Sequence, residues 1–273
     1  MSLLPRDYLN AVVLIETTAD GASFAPIASG FLAGFRTGEK GEAGEELYRV
    51  FLVTNRHVFH GKKEVVLRFN ISEGGSKRYV LHLEDTNGPK WRKHEKEKAD
   101  VAVIPINVKA LESDHIAFWF FPEDNMAFKN TVNELGITQG DDIFVLGFPM
   151  GIAGEEKNYV IVRSGVIARL DDEIIDRHSE FLIDASVFPG NSGGPVVLKP
   201  SMVSIRGTKP VNKAYLLGVV KNYIPYKEDA VGLQTRQLRI TFMENSGLAG
   251  VVPMDFVKGA VVPFMTTQQN TTG

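Results

Sequence analysis

The hydrophobic residues of this chain fall in short runs, and the 3.6-residue period of amphipathic helices is scarce. Runs rich in Val, Ile and Phe recur with Gly and Pro between them, a pattern typical of many short β-strands. The pattern predicts strands over residues 11–17, 27–35, 48–54, 64–69, 79–83, 101–106, 143–147, 159–170, 181–185, 195–198, 214–220 and 238–242. Short helices are expected over 108–115, around 130–135 and near 255–258. So many strands separated by turns favour an all-β sandwich or barrel.

The strands divide into two sets on either side of a polar stretch at residues 133–142, which contains two glycines. We therefore predict an N-terminal unit over residues 1–135 and a C-terminal unit over 136–262. The remaining residues 263–273 end in a polar stretch typical of a disordered tail. The charged, glycine-rich segment between Phe35 and Tyr48 is expected to form a mobile hairpin tip.

Composition narrows the function classes. The chain has 273 residues, 44% of them hydrophobic, and a net charge of −3, so no charge imbalance suggests nucleic acid or an anionic membrane as partner. It contains no cysteine, which excludes thiolate catalysis and disulfides. No apolar run reaches membrane-spanning length, and the first residues lack a signal-peptide pattern. We expect a cytoplasmic protein that requires no cofactor.

A glycine-rich stretch around Ser192 carries the first candidate chemistry: Phe188-Pro-Gly-Asn-Ser-Gly-Gly-Pro195. Glycines allow tight turns and close approach of a substrate to the main chain. A serine on such a turn is either a nucleophile beside an oxyanion site or an ordinary turn residue. The stretch also fits the G-x-S-x-G elbow of α/β-hydrolases, but that fold places its histidine after the serine, and all six histidines here precede Ser192.

A base and an acid for Ser192 must therefore lie upstream. His57 ends an apolar strand, and Asp100 directly precedes another. At the end of a strand His57 can present its side chain at the rim of a sheet. Each residue also has an ordinary structural interpretation, because most single histidines are structural or exposed and an aspartate can be a turn residue that leads a strand. His57 and His60 could be imagined as a metal pair, but no third ligand stands at a recognisable spacing, so we predict no metal site. The order His57, Asp100, Ser192 is that of the chymotrypsin triad.

With these residues in view, the chain resembles trypsin-like serine peptidases. Three blocks carry the resemblance, Thr54-Asn-Arg-His-Val58, Ala99-Asp-Val-Ala-Val103 and Pro189-Gly-Asn-Ser-Gly-Gly-Pro195. Two weaker blocks, Val145–Gly151 and Arg163–Ala168, point to the bacterial HtrA/Deg-type branch, here without the PDZ domain usual in it. The resemblance implies two packed six-stranded antiparallel β-barrels with the active site between them.

The resemblance also assigns roles. Ser192 would attack the scissile carbonyl and form an acyl-enzyme, His57 would transfer the proton, and Asp100 would orient the imidazole. The amides of Gly190 and Ser192 would form the oxyanion hole. Ser186, six residues before the nucleophile, would form the floor of the substrate pocket, with Asn222 and Gly250 in its walls. A floor without a carboxylate predicts a small or medium uncharged residue at the cleavage site.

Asn191 departs from the digestive members of the family, which have aspartate before the serine to bind a newly cut N-terminus. We therefore expect a serine endopeptidase for protein or peptide substrates that needs no N-terminal zymogen cleavage and is controlled by loop ordering, with a regulatory protein partner as one source of that control. The alternative is a catalytically idle fold that keeps the cleft as a peptide-binding groove.

Overall fold

The computed structural model describes residues 4–18, 20–201, 209–231 and 234–266. Its elements, in chain order, are α1 (Asp7–Asn10), β1 (Val12–Thr18), β2 (Phe24–Lys40), β3 (Glu46–Thr54), α2 (Arg56–Phe59), β4 (Glu64–Asn70), β5 (Ser76–His82), β6 (Glu84–Asp85), β7 (Gly88–Pro89), β8 (Arg92–Lys93), β9 (Ala102–Pro105), α3 (Val108–Ser113), β10 (Phe121–Pro122), α4 (Lys129–Leu135), β11 (Asp142–Gly147), β12 (Ile161–Arg169), α5 (Asp172–His178), β13 (Phe181–Asp184), β14 (Pro195–Leu198), β15 (Leu216–Val231), β16 (Leu238–Pro253) and α6 (Met254–Thr266). Two 3₁₀ turns lie at Glu123–Asn125 and Pro149–Gly151. The molecule is therefore mostly β with short helices, as the sequence predicts.

The C-terminal half forms a closed barrel of six strands in the order β11-β12-β13-β16-β15-β14. Alternate residues of each strand point inward, which is why the strands read as Val- and Ile-rich runs with a period of two. The inward side chains Ile143, Val145, Ile183 and Val251 are fully buried in one cluster. The prediction of a six-stranded antiparallel barrel is confirmed for this half.

The N-terminal half differs from the expected second barrel. Its strands form an eight-stranded sheet with the order β5-β4-β1-β2-β3-β9-β8, and β10 adds to β2 in parallel. Within the described residues β5 and β8 do not pair, and β8 is only two residues long. A strand of that length offers too few hydrogen bonds to close a barrel, so the prediction of two closed six-stranded barrels is not confirmed.

Several element boundaries also differ from the predictions. The hairpin expected to be mobile between Phe35 and Tyr48 is strand up to Lys40 and again from Glu46. Helix α5 was not predicted, although its N-cap Asp171 accepts a hydrogen bond from the Ile174 amide. Residues 263–266 of the predicted tail belong to α6, and residues 267–273 lie outside the described residues.

Contacts at Tyr8 join the N-terminal half to the C-terminal half. The Tyr8 hydroxyl donates to the Ala214 carbonyl at 2.7 Å, and burial raises the pKa of Tyr8 to about 12. The Tyr8 ring stacks on Trp119 and meets the edge of fully buried Phe121, so these rings fill core space. Strand β2 of the first half contacts the loop of residues 188–195 in the second half. This loop contains the predicted nucleophile Ser192 and is called the nucleophile loop below.

Candidate active site

The stretch around Ser192 is a tight turn whose glycines are required by the surrounding backbone. Gly190 and Gly193 have φ values of 96° and 83°, a region that disfavours residues with a side chain. A Cβ on Gly193 would lie 2.1 Å from the Ser29 carbonyl oxygen and 2.2 Å from the Thr54 hydroxyl oxygen. The nucleophile loop of the second half is therefore pressed directly against β2 and β3 of the first.

Two amide groups in this loop have no hydrogen-bond partner among the described residues. The amides of Asn191, Gly193 and Gly194 donate to carbonyl oxygens at 2.9–3.0 Å, whereas those of Gly190 and Ser192 donate to none. These are the two amides that the resemblance to trypsin-like peptidases assigns to an oxyanion hole. Unpaired donors at the mouth of a turn are available to an oxygen that gains negative charge.

Ser29, a residue that sequence reasoning missed, holds this loop in place. Its hydroxyl donates to the Gly190 carbonyl at 2.7 Å and accepts from the Phe148 amide at 3.0 Å. Its amide donates to the Ser192 carbonyl at 2.9 Å. The side chain is fully buried, so water does not compete for these bonds. A serine in the middle of an apolar strand was the only signal in the sequence.

His57 and Asp100 form the hydrogen-bonded pair that the sequence predicts. The His57 Nδ1 atom lies 2.6 Å from Asp100 Oδ2, and the His57 amide donates to Asp100 Oδ1 at 3.1 Å. Asn55 adds a bond from its side-chain nitrogen to the Asp100 carbonyl at 2.7 Å. Two contacts to one carboxylate fix the imidazole plane and direct its Nε2 atom away from Asp100, which is the orientation a general base needs.

The electrostatics of Asp100 favour its ionised form. Burial by itself would raise the pKa of this carboxyl, because only 14% of the side chain is exposed. The hydrogen bonds from the His57 ring and backbone, together with the nearby charges of His57 and Arg56, outweigh burial, so the pKa of Asp100 lies below its usual range. Asp100 can therefore stabilise an imidazolium next to it.

The Ser192 hydroxyl is positioned by β15. It donates to the Lys221 carbonyl at 3.3 Å, and within the described residues it makes no hydrogen bond to His57. Catalytic hydrogen bonds are often long or unformed without substrate. The lack of a Ser192–His57 hydrogen bond is therefore compatible with a catalytic triad. The His57 side chain is 52% exposed, so its ring is accessible from the solvent.

Asn191, the residue before Ser192, is fully buried. Its Oδ1 atom accepts from the Phe188 amide at 3.1 Å, while its Nδ2 atom has no hydrogen-bond partner in the described part of the chain. A neutral amide in this place needs no buried counter-charge. The hydrogen bond from the Phe188 amide to the Asn191 side chain therefore stabilises the loop from within.

Arg163 on β12 is a second residue that sequence reasoning missed. Its guanidinium lies 5.2 Å from the centre of the Phe188 ring, and its buried Nε atom has no hydrogen-bond partner among the described residues. A cation against an aromatic face contributes up to about 2 kcal/mol when desolvated. Arg163 therefore supports the start of the nucleophile loop from below.

The residues predicted to form the substrate pocket lie on neighbouring strands. Ser186 is exposed between β13 and the nucleophile loop, and exposed Asn222 of β15 lies opposite buried Gly250 of β16. A Cβ on Gly250 would lie 2.8 Å from a carboxylate oxygen of Glu180. That carboxylate pairs with Lys221 at 2.6 Å, with 16% and 22% of the side chains exposed. Glu180, absent from the sequence predictions, is thus neutralised beside the pocket wall.

Three further features of the described residues bear on function. Among the described residues no three His, Cys, Asp or Glu side chains are grouped to hold a metal ion. None of the helices in the described ranges combines the length and hydrophobicity needed to cross a bilayer. In the basic segment Lys90–Lys98, Glu97 pairs with Lys93 of the same segment and with Arg56 outside it, and Lys98 donates to the Arg177 carbonyl.

Comparison with known proteins agrees with the fold. The family described as the trypsin-like peptidase domain matches residues 28–200, well over half of the chain and the segment that contains His57, Asp100 and Ser192. The chain belongs to this family of peptidases. A comparison with curated proteins gave no match.

Proposed function

We propose that the protein is a serine endopeptidase in which Ser192 is the nucleophile, His57 the general base and Asp100 its orienting acid. One observation carries the proposal. The loop of Ser192 packs at Gly193 against Thr54, three residues before the hydrogen-bonded His57–Asp100 pair, and the amides of Gly190 and Ser192 donate to no partner among the described residues. Attack by the Ser192 Oγ atom on a peptide carbonyl carbon forms a tetrahedral oxyanion while the hydroxyl proton passes to His57. His57 then gives that proton to the amine nitrogen, the C–N bond breaks, and the acyl group stays on Ser192 as an ester. Water attacks this ester with His57 again as base, and Ser192 leaves with the proton from His57.

The amides of Gly190 and Ser192 would bind the oxyanion. One such donor typically contributes about 3 kcal/mol to transition-state stabilisation. The buried hydrogen bond between Asn191 and Phe188 supports a loop that is formed without a cut N-terminus. The protein would then resemble the HtrA/Deg-type branch, whose weaker sequence blocks correspond to β11, β12 and the turn between them.

The substrate pocket would be bounded by Ser186, Asn222 and Gly250. The Glu180–Lys221 pair leaves no net charge in the wall, which supports a preference for an uncharged side chain at the cleavage site. The test is digestion of an unbiased peptide library by the purified chain, with products identified by mass. We expect cleavage after small or medium uncharged residues, loss of all cleavage in Ser192→Ala, and a fall in kcat of about 10⁴-fold in Asp100→Asn.

Retention of all cleavage in Ser192→Ala would contradict the proposal. The alternative function, a peptide-binding module with an idle site, predicts instead that wild-type and Ser192→Ala chains bind the same peptides and cleave none. A purified regulatory protein added to an idle wild-type chain distinguishes a binder from an enzyme that awaits its partner.

A further inference from the structure

A cavity of about 550 Å³ lies beside His57 on the N-terminal half. Its lining combines an aromatic wall with charged and imidazole groups: Arg56, His57, His60, Trp91, Lys93 and Glu97. The volume falls in the range of about 300–1,000 Å³ that is usual for ligand pockets. Because His57 is the base of the proposed mechanism, a group bound in this cavity would lie close to the bond that is cleaved.

Two cations of this cavity share one carboxylate. Glu97 forms ion pairs with the Arg56 guanidinium and with the Lys93 ammonium group. The hydrogen bonds from Lys93 and Arg56 lower the pKa of Glu97 below its usual range, so the carboxylate stays charged. The cavity thus already holds a carboxylate between a guanidinium and an ammonium group, and these are the partners that a substrate acid would need.

The hold of these cations on Glu97 is weak enough to be exchanged. Ion pairs between exposed side chains contribute little to stability, because water solvates both partners. Glu97 is the most exposed of the three groups, with 68% of its side chain accessible against 27% for Arg56 and 44% for Lys93. A carboxylate that arrives with a peptide can therefore replace Glu97, which returns to water without leaving a buried charge unpaired.

The surroundings of the cavity are strongly basic. The segment Lys90–Lys98 contains five Lys or Arg residues and two Glu residues, although the whole chain carries a net charge of −3. Arg56, directly before His57 in α2, adds a positive charge that also favours the ionised form of Asp100. A basic rim on a chain of negative net charge attracts acidic segments of a substrate to this edge of the candidate active site.

Packing holds the walls of the cavity in place. The Trp91 ring meets buried Phe59 edge-on, with the ring centres 5.9 Å apart. Phe59 and Arg56 both belong to α2, and Lys93 belongs to β8, which pairs with β9. Cations carried by packed elements lose little freedom when a ligand binds, which favours selective binding of one group over general attraction.

We propose that this cavity is a subsite for an acidic side chain of the substrate, in which Arg56 and Lys93 bind an aspartate or glutamate carboxylate in place of Glu97. The proposal rests on the proposed function and adds a substrate class to it. The acidic residue is a different substrate residue from the one that enters the pocket bounded by Ser186, Asn222 and Gly250. An uncharged residue in that pocket and an acidic residue nearby in the peptide are therefore compatible.

Cleavage of matched peptides by the full chain tests this subsite. The peptides are end-blocked octapeptides of alanine and serine, each with a single Glu, and a second set carries Gln at the same positions. At about 3.3 Å per residue of extended peptide, the cavity beside His57 is reached within about three residues of the scissile bond. At one position in that range, kcat/KM should be about tenfold higher for Glu than for Gln, the effect of a charge-assisted hydrogen bond.

Substitutions in the cavity separate local binding from general attraction. Lys93→Gln should reduce the preference for Glu to about twofold or less, whereas Glu97→Gln should increase it, because the competing carboxylate is gone. The matched control is Lys96→Gln, which removes the same charge from the same segment, although Lys96 lies over the Phe256 ring and outside the cavity lining. Its preference for Glu should be unchanged. Equal loss in Lys96→Gln and Lys93→Gln overturns the proposal, as does a preference that stays constant in Lys93→Gln or fails to rise in Glu97→Gln.

A binding measurement distinguishes failure of the subsite from failure of the proposed function. In the double variant Ser192→Ala, Trp119→Phe, Trp91 in the cavity wall is the only tryptophan, and its fluorescence reports peptide binding. At least one Glu peptide should bind with a Kd about tenfold lower than its Gln counterpart, and circular dichroism confirms that each variant is folded. Equal Kd values overturn the subsite even if the wild-type chain cleaves peptides. Tighter binding of a Glu peptide, with no cleavage by the wild-type chain, supports the acidic subsite and contradicts the proposed peptidase.

Discussion

At the scale of single residues, Asp100 shows how burial and hydrogen bonding oppose each other. Removing a carboxylate from water disfavours its charge, whereas the two bonds to His57 favour it, and the bonds prevail. A buried carboxylate with a lowered pKa couples the stability of the fold to pH.

The pH dependence of stability follows from the sign of this shift. Because the pKa of Asp100 is lower in the folded chain than its unfolded value of about 3.9, the stabilisation is complete above that value and is lost as pH falls through the folded pKa. Urea unfolding of wild-type and Asp100→Asn chains should show a constant difference in free energy near neutral pH and a narrowing one below about pH 4. A difference that widens on acidification would contradict the assignment.

Gly193 provides a second test at residue scale. In Gly193→Ala the new methyl would clash with Ser29 and Thr54 in a backbone conformation that is also strained, so we expect a loss of about 2–4 kcal/mol in unfolding free energy. The control is Gly61→Ala, with a φ of 74° but open space around it, where strain alone should cost about 1 kcal/mol. Equal losses in the two variants would show that the contact with β2 and β3 does not matter.

At the scale of elements, β2 acts as a brace for the nucleophile loop. In Ser29→Ala the Phe148 amide and the Gly190 carbonyl lose their buried partner, which costs about 1–3 kcal/mol. Because Gly190 would carry an oxyanion donor, kcat on a cleaved peptide should fall about 10–100-fold with a smaller change in KM. Ser113→Ala, which removes a bond within exposed helix α3, is the control and should leave both constants unchanged. An unchanged kcat in Ser29→Ala would contradict the claim that Ser29 positions the nucleophile loop.

Elements were predictable from the sequence where local pattern decides the structure. Buried strands such as β3 and β11 read as apolar runs, and each predicted range overlaps a strand. The outer half of β15 carries Lys227, Glu228 and Asp229, which no burial pattern marks as strand, so only pairing with β16 reveals it. Barrel closure depends on the contacts of strand edges far apart in the chain, which is why the open sheet of the first half was not foreseen.

The residues of the candidate site also divide into those that a local motif predicts and those that only tertiary contacts reveal. His57, Asp100 and the serine turn stand in short local motifs and could be named in advance. Ser29 and Arg163 contact the site from strands β2 and β12, and Glu180 does so from the residue before β13. Their roles depend on tertiary contacts, which no local sequence pattern predicts.

At the scale of the whole molecule, polar contacts join the halves at the side of the cleft. Asn70 and Asn158 exchange two hydrogen bonds of 2.9 and 2.7 Å, and the buried Asn158 side chain donates to the Arg68 carbonyl at 2.6 Å. Both tryptophans, Trp91 and Trp119, lie in the first half, so their fluorescence reports on that half alone.

Asn158→Ala should therefore reduce the stability of both halves together. We expect a loss of about 1–3 kcal/mol from the unpaired Arg68 carbonyl, with equal shifts of the urea midpoint by tryptophan fluorescence and by far-ultraviolet circular dichroism. Shifts that differ between the two signals would show that the halves unfold separately.

The central claim is that Ser192 is an activated nucleophile, and covalent labelling tests it most directly. The full chain is treated with a fluorophosphonate and its intact mass is measured, beside Ser192→Ala and His57→Ala. The account predicts one added phosphonyl group on the wild-type chain, located on Ser192 by peptide mapping, with none on Ser192→Ala and strongly slowed labelling of His57→Ala. A folded wild-type chain that stays unlabelled, or one labelled equally in Ser192→Ala, would contradict it.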